Sequence, residues 1–331
     1  LYVLRKSSNF AVLNSFIMLN RPLIRTKVVQ NLYSYYQQAD KTNVTVYKDL
    51  NSSCAETYDL YHLMLQLISE ITREAELRTE ALKEKFFATE EERNPRMNFV
   101  NNKFAEQVFY NRQLASYFEN NKVLKHFWAD NMEVIDNVYQ QIRESDQYAK
   151  YMALNNPTYE DDKTIWRQIF SKIFDDNAFL KSCFEDNALY WVSDYDTVIS
   201  FCIKTIKRFS QDNGAEQPLL PLFESAEDER FAHKLLEAAI NHGEEYRELI
   251  NQRLKNWKLE RLAAMDLAIM QTAVAEIMTF SQIPIQVSIN EYIELAKEYS
   301  SEQSPKFVNG ILDDIVKQLK NENRLIKAVI I

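Results

Sequence analysis

Along most of this chain the apolar residues recur every three or four positions, the spacing of one helix face, and rarely in the strict alternation of a strand. Residues 22–38 are predicted to form a helix, with Pro22 in its first turn. Leu23, Val28 and Leu32 share its apolar side, while Arg21, Arg25 and Lys27 are expected to stay in water. Lys41–Val46 reads as a polar, β-branched loop. A long helix is predicted from about Glu56 to Glu92 on Leu60, Leu63, Leu67 and Ile71, with its charged end, Thr79–Arg93, projecting from any core. Asn94 to about Phe209 is a run of helices rich in aromatics, among them Trp128, Trp166, Phe174 and Trp191. Aromatics at this spacing read as core before they read as a platform for stacking bases. Asn155-Asn156-Pro157 interrupts the run, which resumes near Glu160. The clearest boundary is Ser210–Pro221, which holds Gly214 and two prolines. Beyond it, Ser225–Trp257 is amphipathic. Leu259–Phe280 is apolar almost all round, the pattern of a helix in the centre of a bundle, with Asp266 and Glu276 as exceptions.

Residues 284–315 are the most specific stretch. Ser288 and Glu291 have capping-box spacing, an arrangement that stabilises a helix start by roughly 1 kcal/mol. Ser304 is expected to cap the last helix, with Pro305 at its first position. Lys306 then falls in the first turn, where the helix dipole disfavours a cation. It is either a solvated lysine or the mark of an anionic partner. Phe307, Ile311, Ile315 and Leu319 form the apolar stripe. A helical Gly costs about 1 kcal/mol relative to Ala, so Gly310 is expected to pack closely against a neighbour.

Composition narrows the class. With only three glycines in 331 residues, the chain reads as all-α and has no phosphate-cradling or dinucleotide-binding loop. The net charge is −9, yet residues 1–50 hold seven basic against two acidic side chains. Such an arm is either a nucleic-acid contact or a solvated terminus. His62, His126, His233 and His242 have no metal-ligand spacing, and no catalytic constellation is visible, so neither an enzyme nor a cofactor is expected. Cys54, Cys183 and Cys202 read as free thiols of a reducing, cytoplasmic compartment. No apolar run reaches the roughly 20 residues of a membrane span. Met18 is expected to be the natural start, with 1–17 a non-native or disordered extension.

Ile289-Asn290-Glu291, Glu294-Leu295-Ala296-Lys297 and Lys306-Phe307-Val308-Asn309-Gly310-Ile311-Leu312 strongly resemble the C-terminal signature of the NusB family of transcription antitermination factors. Arg261-Leu262, Ala273-Val274-Ala275-Glu276 and Pro284 also match its pattern. Gln30-Asn31-Leu32-Tyr33, preceded by Arg21 and Arg25, is similar to its first helix. The likeness covers about 18–40 and 225–320. It implies a helical bundle of two subdomains without catalytic activity. It also implies an adaptor that binds boxA-like RNA together with ribosomal protein NusE in the transcription elongation complex. On this resemblance Arg21 and Arg25, with Lys27 nearby, belong to an RNA-binding arm. Lys306 and Phe307, beside Gln303, flank the RNA path, and Asp266 faces NusE. Arg25→Ala and Lys306→Ala are then expected to weaken RNA binding without unfolding the chain.

The expected organisation is an extension (1–17), a NusB-like arm and helices (18–74), a helical insertion (75–220) and a C-terminal NusB-like domain (221–331). Three departures stand out. The arginine run is thinned to Arg21-Pro22-Leu23-Ile24-Arg25. Gln303 stands where the family often has Asp. The insertion has no counterpart in the compact family form, which leaves open surface masking, self-association as a homodimer, or a further partner. The rival reading is a helical interaction scaffold or ribosome-biogenesis factor with little RNA binding of its own.

Overall fold

The computed structural model describes residues 18–38, 42–87, 89–188, 190–254 and 259–325, and every regular element among them is helical. The expected extension at 1–17 lies outside the described residues. No described helix is long and apolar enough to cross a membrane.

The chain divides into two compact units, one joining the residues up to Cys54 with those from Pro221 onward, the other spanning Ala55–Leu220. The sequence placed the first boundary near residue 75, but that position lies inside one long helix, Asn43–Lys83. Residues just past 54 already serve the second unit. Thr57 Oγ1 donates to Asp194 Oδ2 at 2.5 Å, the Tyr61 and Thr205 hydroxyls share a bond of 2.7 Å, and Trp128 Nε1 donates to the Leu63 carbonyl at 3.0 Å. The long helix also starts earlier than expected. The Thr45 amide donates to Thr42 Oγ1, a capping bond that draws the β-branched stretch into the helix. Its end comes at Lys83, followed by Phe86 and Phe87, both more than four-fifths exposed.

Within the second unit most of the large aromatics are core, with Trp128, Trp166, Phe170, Phe174 and Phe184 buried, while Phe109, Tyr110 and Phe179 are exposed. Asn156 takes a left-handed φ of 57° at the expected break. Thr158 and Asp161 then form a capping box that starts the helix Tyr159–Ile169.

The first unit is built around the central helix, Ala264–Thr279, in which Ala268–Ile277 is buried throughout. It packs against the arm helix (Arg21–Gln37), the helices Ala226–Asn241 and Gly243–Asn251, the penultimate helix (Ile285–Tyr299) and the last helix (Ser304–Asn321). A helix surrounded in this way has no solvent face, which is why its sequence lacks a polar stripe. Backbone bonds from Met18 to Pro221 (3.0 Å) and from Leu19 to Leu222 (2.8 Å) fasten the two sequence segments of the unit at the base of the arm helix.

Candidate functional site

Glu276 is the lone acid in the buried half of the central helix, and it is completely buried. A carboxylate there is tolerable only if its oxygens are filled. Arg25 of the arm helix supplies a two-pronged pair, Nε to Oε2 at 2.7 Å and Nη2 to Oε1 at 3.0 Å. Ser288 Oγ and the Tyr292 hydroxyl, both on the penultimate helix, donate to the same carboxylate at 2.7 and 3.1 Å. Arg25 Nη1 reaches on to Glu291 Oε2 at 3.2 Å. Burial alone would lower the Arg25 pKa, but the hydrogen bond and charge of Glu276 outweigh it and leave the pKa raised. Burial raises the Glu291 carboxyl against the pull of Arg25. Three helices are thereby tied through one buried ionic cluster.

This cluster corrects several sequence expectations. Arg25 and Lys27 are not in water, being 3% and 0% exposed. Ser288 and Glu291 do not form a capping box. The penultimate helix starts at Ile285, directly after Pro284, so both side chains lie inside it and turn toward Glu276 and Arg25. The signal was present in the sequence, since one Glu in an all-round apolar helix needs a partner, but the partner's identity was not.

The start of the last helix differs in a similar way. Gln303 occupies the cap position without a side-chain capping bond, and Ser304 is already helical. Ser304 Oγ instead bonds Asp266 Oδ2 at 2.9 Å and Ser300 Oγ at 3.0 Å. Asp266 is buried, and its Oδ1 has no partner among the described residues. Gln303 and Lys306 are exposed, while Phe307 is half-buried against the core. Gly310 is exposed, and a Cβ built on it would meet nothing within 4 Å. The close packing expected there is absent.

Arg21 is the first residue of the arm helix, one turn before Arg25. It pairs with Asp228 Oδ1 at 3.1 Å and Glu227 Oε1 at 3.2 Å, and its guanidinium sits 4.8 Å from the centre of the Phe231 ring. Arg25 approaches the same ring at 5.6 Å. Beside Arg21 opens a cleft of about 190 Å³ whose lining includes Arg230, Lys234, Phe280 and Gln282. Sequence reasoning did not single out Arg230 or Lys234. Among the described residues no group of histidine, cysteine and acidic side chains is arranged to hold a metal ion.

A helical bundle of this kind, with its ionic cluster and its signature segment at the last two helices, has close relatives in sequence. Residues 201–317 match the NusB family. The transcription antitermination protein NusB of Salinibacter ruber is 37% identical over 132 residues, which cover 38% of this chain and 82% of that protein. The protein of the same name from Dictyoglomus thermophilum is 40% identical over 109 residues, 33% of this chain and 76% of its own length. That from Alkaliphilus oremlandii is 46% identical over 100 residues, 29% and 72% respectively. A solved structure titled T. maritima NusB aligns over 36% of this chain and 82% of its own, at 30% identity and a TM-score of 0.28. The chain belongs to the NusB family, as a form much longer than these relatives.

Proposed function

We propose that this protein is a transcription antitermination factor, a non-catalytic adaptor that binds boxA-like RNA on nascent ribosomal RNA together with ribosomal protein NusE. The observation that carries this reading is the 37% identity to an antitermination protein across 82% of that relative's length. The exposed Gln303 and Lys306, with the half-buried Phe307 beside them, supply a polar, cationic and aromatic edge for RNA. Arg21, at the start of the arm helix, is part-exposed, with its guanidinium shared between Glu227 and Asp228. Arg25 and Lys27 act indirectly, by fixing the arm helix to the bundle. Asp266, the acid that the family resemblance turns toward NusE, is buried and acts through its bond to Ser304 at the start of the last helix.

Fluorescence anisotropy with a boxA-like RNA, with and without NusE, tests this. The expected result is weak binding by the protein alone, tighter binding with NusE, and an affinity that falls as salt rises. RNA affinity that stays negligible in the presence of NusE would overturn the reading. One observation favours a second reading, a helical interaction scaffold or ribosome-biogenesis factor: the burial of Arg25 and Lys27 takes two of the arm's cations away from any RNA. NusE binding with no RNA binding is the outcome that selects it.

A further inference from the structure

The buried arm cations raise a question about where accessible positive charge lies. Arg230 and Lys234 stand four residues apart on the helix Ala226–Asn241, so they share a face. Both are exposed, and neither makes an ion pair or hydrogen bond among the described residues. Both line the cleft beside Arg21, together with the Thr279 hydroxyl and the Gln282 amide. The cleft thus gathers two guanidiniums, an ammonium, an amide and a hydroxyl.

Resting on the proposed RNA-binding function, we infer that this cleft is a subsite for backbone phosphate of the bound RNA, with Arg230 and Lys234 as its contacts. The floor argues against a base. The Phe231 and Phe280 rings are buried, and Arg21 lies over Phe231, so neither presents an open face for stacking. Donors arriving from several walls suit a tetrahedral phosphate, whereas one arginine already fills a planar carboxylate. Two features oppose an anion. Glu227 lines the cleft, and Arg21 is shared between it and Asp228, so these three side chains leave one net negative charge. The carboxyl end of the central helix adds a negative partial charge of about half a unit. The two full, unpaired positive charges of Arg230 and Lys234 outweigh both.

The test compares the protein with its Arg230→Gln/Lys234→Gln variant, using a boxA-like RNA oligonucleotide and NusE over a range of salt. Each lost phosphate contact lowers the slope of log affinity against log salt by roughly 0.7 on single-stranded RNA. The variant is expected to bind roughly fivefold (one contact) to twenty-five-fold (two contacts) more weakly at 0.1 M salt relative to 1 M. A control RNA of scrambled sequence should lose affinity to the same degree, because phosphate carries no sequence information. Thermal melting should be unchanged, since both side chains are exposed and neither makes an ion pair or hydrogen bond among the described residues. If the unaltered protein binds RNA and the variant matches it in affinity and slope, the subsite is wrong and the RNA-binding function stands. If the unaltered protein binds no RNA, both fall. If the variant loses affinity for NusE measured without RNA, the cleft belongs to a protein contact and the inference is overturned.

Discussion

Arg25 shows how much the meaning of one residue depends on what faces it. A cation near the start of a basic arm reads as a contact for RNA, but here its guanidinium is spent on Glu276 and Glu291. Removing one member of a buried ion pair strands the other, at a cost of about 3–5 kcal/mol. Arg25→Ala is therefore expected to destabilise the first unit by that amount in urea denaturation, and a variant that unfolds like the unaltered protein would refute the role. Lys306→Ala, at an exposed side chain, should leave the same curve in place. Spacing along the sequence could not separate the two lysine- and arginine-bearing sites, because the partner of Arg25 lies 251 residues away. A second residue-scale expectation concerns His62 in the other unit. Its ring stacks on Tyr117 at 3.6 Å and its Nδ1 is bonded to the Tyr58 carbonyl. Burial lowers its pKa from 6.5 to about 4. The unfolded chain therefore takes up a proton at a higher pH than the folded one. The stability this supplies, on the order of 3 kcal/mol, is complete above pH 6.5 and drains away as pH falls toward 4. Melting curves between pH 7.5 and 4.5 should show this decline, and His62→Gln should flatten it.

At the scale of the element, Gly310 offers the sharpest reversal. A glycine inside a helix weakens it unless something needs the missing side chain, and here nothing lies within 4 Å of the added Cβ. Gly310→Ala should stabilise the last helix by about 1 kcal/mol. A loss of stability in thermal melting instead would refute an open space beside Gly310. Helices themselves were legible from the 3.6-residue period, and so was the central position of Leu259–Phe280. Helix starts were less so, because a serine has two competing uses. Ser288 and Ser304 carry the chemistry of caps, yet Glu276 and Asp266 claim their hydroxyls from another helix. Local rules rank a cap first only when no buried carboxylate is in reach. Of the candidate site, Gln303 and Lys306 are exposed and Phe307 is half-buried against the core, while Arg230 and Lys234 escaped notice because two cations on a charged helix look like any solvated face.

At the scale of the molecule, the all-helical class was legible from the scarcity of glycine, and the end of the inserted unit from Ser210–Pro221. Its beginning was not, because the long helix runs across it without a break in pattern. The first unit is therefore written in two separated pieces of sequence, whereas the second is continuous. A ribosome delivers them in that order. The arm helix emerges first, with no central helix to cover Leu19, Ile24 and Val28. At a synthesis rate of about 5–20 residues per second, the residues of the second unit take on the order of ten seconds to pass before that cover begins to arrive. The inserted unit can fold during this interval, and the arm has to be kept from other apolar surfaces while it waits. The insertion thus acts as a timer on the assembly of the first unit, set by its length and by the speed of translation.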